Sequence, residues 1–291
     1  VHLISQFLNA LDGCSFAAIR TLFSKGPRAA RKVIGATLAA SRSNPHIHTM
    51  NCWDLVRGFA VGEEVVICSD SWFDGTIAPL ERCVLTQLIR YHRPKTIVEV
   101  GTYRGTTTKI ILDNCQPDAK VFTIDLPLEQ EIDHLQAATD KRLIVHRQVG
   151  IDYQQHSRVS QVTQIYGDSF DPATWNKIPD EIEFALIDAS HSYEAVKNDS
   201  ERVFNKLKAD GIVMWHDYTE SETQERGVGK YIRELMQTRN DIFICADTDF
   251  ALRIPEQELH KAAVRVPVFF PNGDYSRRFP GGPIPWLTEL P

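Results

Sequence analysis

The chain lacks any C-x-x-C pair. Its six cysteines, Cys14, Cys52, Cys68, Cys83, Cys115 and Cys245, are scattered. That argues against a disulfide framework or a structural zinc site, and for a reducing compartment. No apolar run approaches the roughly 20 residues that a membrane span needs. Basic residues are not in excess: the formal net charge is −6, so nucleic acid is not an expected partner. Internal repeats and low-complexity stretches are missing. No charged-then-apolar signal segment opens the chain, and the cytoplasm is the expected location. What is present is an ordinary globular composition. The 291 residues are 43% apolar and 24% charged, which suits one large domain with additions.

Acids are scarce at the start. Up to residue 50, Arg20, Lys25, Arg28, Arg31, Lys32 and Arg42 face only Asp12. Phe7, Leu8, Leu11, Ala18, Ile19, Leu22 and Phe23 recur at helical spacing until Lys25-Gly26-Pro27 interrupts, and a second helix is expected over 28–40. A basic amphipathic start suits a membrane-surface helix or a transit segment. The plainer reading is a helical extension, packed on the acidic remainder or joining copies into a homo-oligomer.

From Pro79 the pattern is regular. "PLERCVLTQLIRYH" reads as a helix with Pro79 in its first turn. Five β-rich runs follow: "TIVEV", "KVFTID", "VTQIYG", "IEFALID" and "GIVMWHD". "GTTTKIILDN" and "SYEAVKNDSERVFNKLK" are helical patterns between them, and "RGVGKYIRELMQTR" is another after the fifth. Near-continuous apolar strands alternating with helices imply a parallel sheet covered on both faces. "DIFICAD" and "FALRIP" are too tightly linked for a crossover helix, so the last strand is expected to be antiparallel. The division is an N-terminal extension over 1–75, a core over 76–255 and a tail over 256–291. The long connection 126–160 is read as an insertion or lid.

The first run ends in "VEVGTYRGTTT", and a parallel sheet binds its ligand outside the carboxyl ends of its strands. The turn has Gly101 and Gly105 but not G-x-G-x-x-G, and it carries Glu99. An acid there would oppose a pyrophosphate and favour a cation. A ligand with an ammonium and a sulfonium fits, and S-adenosylmethionine is the expected cofactor. Its contacts are placed on Glu99, Gly101, Thr102, Tyr103, Gly105 and Thr106, with its carboxylate at the helix N-terminus. Asp125 ends the second run, where an acid grips a ribose diol. "YGDSF" ends the third, putting Gly167, Asp168 and Ser169 near an adenine. Each acid alone could be a loop or cap residue.

These motifs, with "IDASHSYEAVKND" and "GIVMWHDY", make residues 79–255 resemble the class I S-adenosylmethionine-dependent methyltransferases. The likeness is greatest to the branch of metal-dependent sugar and natural-product O-methyltransferases and cephalosporin-hydroxylase-like sequences. The resemblance implies an α/β, Rossmann-like, doubly wound, seven-stranded sheet with the last strand antiparallel. It also implies a divalent ion, held by acids at the ends of the fourth and fifth strands, that grips an acceptor hydroxyl. Asp188 and Asp217 occupy those places, and Asp188 is counted with both the cofactor and the catalytic residues. Two hard oxygen ligands suit Mg²⁺, while His216, where relatives carry an acid, would admit Mn²⁺ or Fe²⁺. Tyr218 stands where catechol-type enzymes place an asparagine, so an alcohol or sugar acceptor is expected. His191, three residues past Asp188, matches the general base of macrolide-sugar methyltransferases; a helix cap, shared with Ser190 or Ser192, is its plainer role. Tyr193, Trp72, Phe73 and Thr76 are weaker pocket candidates. A hydroxylase-like or N-methylating enzyme, or a non-catalytic cofactor-binding module, would keep the same fold.

Overall fold

Side-chain alternation decides how the layers stack. The computed structural model describes residues 49–52, 66, 75–127, 148–218, 227–255 and 257–258. The helices expected before residue 41, Trp72, Phe73, the stretch 128–147 and most of the tail lie outside them, as does the homo-oligomer contact expected of the N-terminal helices. The strands are β1 (Thr49–Asn51), β2 (Thr96–Val100), β3 (Lys120–Asp125), β4 (Val162–Tyr166), β5 (Ile182–Ile187), β6 (Leu207–Trp215), β7 (Ile242–Ala246) and β8 (Ala251–Arg253). The α-helices are α1 (Pro79–His92), α2 (Thr106–Asn114), α3 (Pro172–Trp175), α4 (Tyr193–Lys206) and α5 (Val228–Thr238).

In β2, Ile97 and Glu99 point to one face and Val98 and Val100 to the other. On the first face α1 and α2 bring Leu85, Leu88, Ile89, Ile110 and Ile111 against Ile97, Phe184, Leu186 and Met214. On the second, α4 and α5 bring Val196, Val203, Ile232 and Met236 against Val98, Val100, Ala185 and Ile187. Trp215 is fully buried there, and its indole N–H donates to Ser200 Oγ at 2.8 Å. Covering both faces explains why the strands read as continuous apolar runs.

The sheet order is β1-β7-β8-β6-β5-β2-β3-β4. Seven strands form the expected sheet, and β8 is antiparallel to both its neighbours, β6 and β7. The eighth, β1, adds three residues parallel to β7. Edge addition of this kind uses main-chain groups, so a stretch with no apolar period can supply it. β6 starts at Leu207, directly after α4, rather than at Gly211. The longer start pairs Leu207 with Ile182 of β5. Arg253 on β8 donates to the carbonyls of Gly211 and Ala209 and pairs with Asp241 at 2.7 Å.

The order reverses between β2 and β5. The chain leaves β2 towards β3 and β4, then returns to lay β5 on the other side of β2. A crevice opens at such a reversal, at the carboxyl ends of the strands. Among the described residues, no helix is long and apolar enough to cross a membrane.

Candidate functional site

The turn after β2 is shaped first by protein atoms. Gly101 has φ +102°, and a Cβ there would lie 2.0 Å from the carbonyl oxygen of Asp188. Its N–H and that of Thr102 both donate to the Ile124 carbonyl, at 2.9 and 3.2 Å. Gly105 has φ +80°, and its Cβ would lie 2.5 Å from the Tyr153 ring. The two glycines thus let β5 and Tyr153 close on the turn. Tyr103, itself at φ 47°, donates its N–H to Asp125 Oδ2 at 2.7 Å, and Leu126 N–H takes Oδ1 at 2.7 Å. Asp125 is therefore fixed at the end of β3 by two backbone donors. Gly167 N–H donates to the Asp125 carbonyl at 2.9 Å, which brings the end of β4 alongside. Asp168 Oδ1 accepts from Phe170 N–H (2.9 Å), and the Ser169 carbonyl accepts from Trp175 and Asn198 (2.8 and 2.9 Å).

Glu99 lies deeper than a direct ligand contact would require. Its side chain is fully buried under α2, and Oε2 accepts from Thr108 and Thr123 hydroxyls at 2.5 and 2.6 Å. Burial pushes its carboxyl up to about 8, against those two hydrogen bonds and with the charges of Asp188 and Asp125 adding to the rise. Its Oε1 has no hydrogen-bond partner among the described residues. The network continues outward: Thr102 Oγ1 lies 2.6 Å from Thr123 Oγ1, Gln164 Nε2 donates to Thr102 Oγ1 (3.0 Å), and Tyr153 OH donates to Gln164 Oε1 (2.8 Å).

The described part of the segment read as a lid is tied along α2. Gly150 and Asp152 N–H groups donate to the Tyr103 and Arg104 carbonyls, both at 2.9 Å. The Asp152 carboxylate takes the Thr106 hydroxyl at 2.6 Å and the Arg104 guanidinium at 2.9 Å. At the other end of α2, His156 meets Asp113 at 3.0 Å and Arg158 donates to the Cys115 carbonyl at 2.9 Å. The Thr102 hydroxyl joins the Thr123–Gln164 network, and the Thr106 hydroxyl is taken by Asp152, whose carboxylate stands beside the start of α2.

At the ends of β5 and β6 three ionisable groups converge. Asp188 N–H donates to the Val100 carbonyl at 2.8 Å, and His216 N–H to the Ile187 carbonyl at 3.1 Å. Asp217 follows in the left-handed region, φ 57°, which turns its side chain back towards the strand ends. His216 Nδ1 lies 3.1 Å from Asp188 Oδ1 and 3.2 Å from Asp217 Oδ2. One ligand atom from each of the three lies within 4.8 Å of the others. Burial pushes His216 down, but Asp188, Asp217 and Glu81 outweigh it and hold the imidazole well above its ordinary value. Burial pushes Asp217 up, and hydrogen bonds with His191 and His216 reverse that, leaving it far below the usual carboxylate range.

His191 Nε2 stands 2.6 Å from Asp217 Oδ2. An ionised carboxylate can only accept, so Nε2 carries the hydrogen. The helix-cap role belongs to Ser192, whose Oγ accepts from Ala195 N–H at 3.3 Å. The His191 carbonyl accepts from Gly227 N–H, which pins this corner to the start of α5. Tyr193 is drawn into the α4–α5 contact, its hydroxyl on Glu234 at 2.5 Å and Lys230 over its ring at 4.5 Å.

Residues 98–218 match a family model described as "Methyltransferase domain". Over that stretch the chain is similar to methyltransferase domains. Seven of its strands, with the last antiparallel between β6 and β7, form the kind of sheet implied by the resemblance to class I S-adenosylmethionine-dependent methyltransferases. No curated protein matches the chain. Solved structures similar to it include the SAH-bound methyltransferase PaMTH1 of Podospora anserina, at 14% identity over 62% of this chain and 81% of that one, TM-score 0.47. The O-methyltransferase TomG of Streptomyces achromogenes, involved in tomaymycin synthesis and solved with SAM, shares 15% over 62% and 82%, TM-score 0.44. An O-methyltransferase of Bacillus cereus solved with SAH shares 13% over 62% and 83%, TM-score 0.43.

Beside the expected residues stand others that the sequence did not announce. Tyr153, Asp152 and Gln164 hold the glycine turn. Asp199, fully buried in α4, is pushed up to about 6 by burial, against hydrogen bonds from Ser169 and Asn198. Glu81 reaches the acid–histidine group from α1, with Oε2 3.2 Å from His216 Nε2. Its one sequence signal is its place three residues after the helix N-cap, as in a capping box.

Proposed function

We propose that the chain is a cytoplasmic, divalent-metal-dependent O-methyltransferase that uses S-adenosylmethionine to methylate a hydroxyl of a small molecule, a sugar or natural product. The observation that carries this reading is the junction of Asp188, His216, Asp217 and His191, two carboxylates and two imidazoles at neighbouring strand ends. With metal–ligand distances near 2.1 Å, adjacent ligands of an octahedral ion stand about 3.0 Å apart. The 3.1 and 3.2 Å separations around His216 Nδ1 suit such a set. Hard oxygens favour Mg²⁺, and the imidazole widens the choice to Mn²⁺ or Fe²⁺. When bound, the ion would act as a Lewis acid and template for the acceptor oxygen.

For the donor, Asp125 would take the ribose diol, and Gly167, Asp168 and Ser169 would border the adenine. Gly101, Tyr103 and Gly105 would supply the turn beneath the methionine portion. Glu99 Oε1, which has no hydrogen-bond partner among the described residues, is a site that an ammonium would satisfy through water. Asp188 lies between the two halves. In the reaction, Asp217 orients His191 through the 2.6 Å contact, and the imidazole serves as the general base. The acceptor oxygen attacks the sulfonium methyl in line; the carbon–sulfur bond breaks, its electron pair stays on sulfur, and the acceptor's proton goes to His191.

The test follows methyl transfer from labelled donor to a panel of hydroxylated sugars and polyketide-like alcohols, before and after chelation. Turnover lost on chelation and restored by Mg²⁺ is expected. Turnover indifferent to chelation would overturn the metal, and methylation at nitrogen would overturn the acceptor class.

A further inference from the structure

Glu81 is separated from His216 by 135 residues, yet the two side chains meet. The Glu81 side chain is held from three directions. Oε2 accepts from Ala78 N–H at 2.6 Å and faces His216 Nε2 at 3.2 Å, while Oε1 accepts from Asp249 N–H at 2.8 Å. The residue is 4% exposed. A carboxylate fixed by backbone donors from its own helix cap and from Asp249 cannot swing away, so the imidazole must adapt to it. Phe250 packs edge-on against the His216 ring, with centroids 5.3 Å apart, and resists a flip.

Imidazole has two nitrogens, and what one binds decides what the other can do. Glu81 only accepts, so the hydrogen facing it sits on Nε2. The nitrogen facing Asp188 and Asp217 is Nδ1. Were the neutral ring to carry its hydrogen on Nδ1 instead, that hydrogen would bridge to these carboxylates and fill the space where an ion would sit. Facing carboxylates on both sides, the ring without an ion carries hydrogen on both nitrogens. A cation arriving between Asp188 and Asp217 displaces the one on Nδ1, while Nε2–H stays committed to Glu81, so Nδ1 is the nitrogen left to ligate.

We propose that Glu81 is a positioning residue, the outer carboxylate of a carboxylate–histidine–cation unit, which selects the His216 tautomer able to ligate a divalent ion through Nδ1. The inference rests on the metal-dependent reading above. Outer carboxylates of this kind are worth about 10–100-fold in metal affinity.

The test uses the full chain and Mn²⁺ alone, with affinity from calorimetry and direct imidazole ligation from the ¹⁴N coupling in electron spin echo spectra. Wild type should bind with one imidazole coupling, which His216→Ala abolishes. Glu81→Gln can turn its carboxamide N–H₂ towards Nε2 and so favour the opposite tautomer. It should bind Mn²⁺ about 10–100-fold more weakly, with the coupling lost. S-adenosylhomocysteine heat unchanged from wild type reports that the variant is folded. Should Glu81→Gln not fold, Zn²⁺-loaded wild type labelled with ¹⁵N answers in its place, with a slowly exchanging hydrogen expected on Nε2 of His216. Glu81→Gln binding like wild type with its coupling intact, or hydrogen found on Nδ1, overturns the role of Glu81. Mn²⁺ bound by wild type without imidazole coupling removes His216 as a ligand and this inference with it, leaving the metal-dependent reading in place. No Mn²⁺ binding by wild type overturns both.

Discussion

At the β2–β3 end of the crevice, threonine hydroxyls and a glutamine surround one buried carboxyl. At the β5–β6 end, Asp188, Asp217 and Glu81 surround one imidazole. The first end is arranged by geometry: two glycines, a left-handed Tyr103 and a strapped segment that leaves little room to move. The second is arranged by charge, with Asp217 held in a conformation that non-glycine residues seldom adopt. Neutral hydroxyls suit a site that must receive a bulky organic cation, whereas converging carboxylates suit a compact inorganic one. The difference assigns each half of the proposed chemistry to its own end.

The largest effect should come where the two ends touch. Gly101→Ala would drive a methyl group into the Asp188 carbonyl, 2.0 Å away, at a φ that disfavours any Cβ. A loss of about 3 kcal/mol or more in unfolding free energy is expected from a denaturant titration. Normal stability would mean that the junction is looser than described.

Asp188→Ala separates the ends. With an acceptor that the enzyme turns over, the rate should fall by about a thousandfold, the several kcal/mol such an ion contributes. S-adenosylhomocysteine affinity should stay within about twofold. Loss of donor affinity instead would merge two ends that we keep apart.

His191→Ala should cost about a hundredfold in rate, with donor and Mn²⁺ binding retained. A near-normal rate would reduce His191 to a partner of Asp217.

The smallest effect concerns pH at the first end. The Glu99 carboxyl ionises near 4.5 when unfolded and about 8 when folded, so the folded chain holds one more proton between those values. Its contribution to stability is full below pH 4.5 and is lost as pH rises through 8. Glu99→Gln should flatten that decline in a series of thermal melts. A donor ammonium would favour the ionised carboxylate, so wild-type affinity for S-adenosylhomocysteine should rise from pH 6 to 8, and that of Glu99→Gln should not. Parallel curves would detach Glu99 from the donor.

Much of this was legible in the chain and some was not, for a physical reason. Continuous apolar runs from Thr96 to Arg253 announce a covered parallel sheet, because burial on both faces leaves no polar alternation to confuse the pattern. Asp188, His216 and Asp217 were legible because they follow strand ends, and a strand end is fixed by its own sequence. Glu81 was not, since its partners Asp249 and His216 come together only after the whole sheet has formed. Glu99 was identified but its depth was not; the hydroxyls of Thr108 and Thr123 that enclose it belong to other elements. Tyr153 lies in a polar stretch that reads as a loose insertion, and only the packing on Gly105 shows it tied down. The edge strand β1 was illegible for a simpler reason: main-chain pairing leaves little mark on side chains.

The most direct measurement is a crystal grown with S-adenosylhomocysteine and Mn²⁺, read for anomalous scattering. The account predicts a manganese peak bounded by Asp188, His216 and Asp217, with the donor's sulfur beside it above Gly101. Donor density over the turn with manganese elsewhere, or manganese at the strand ends with no donor on Asp125, would contradict it.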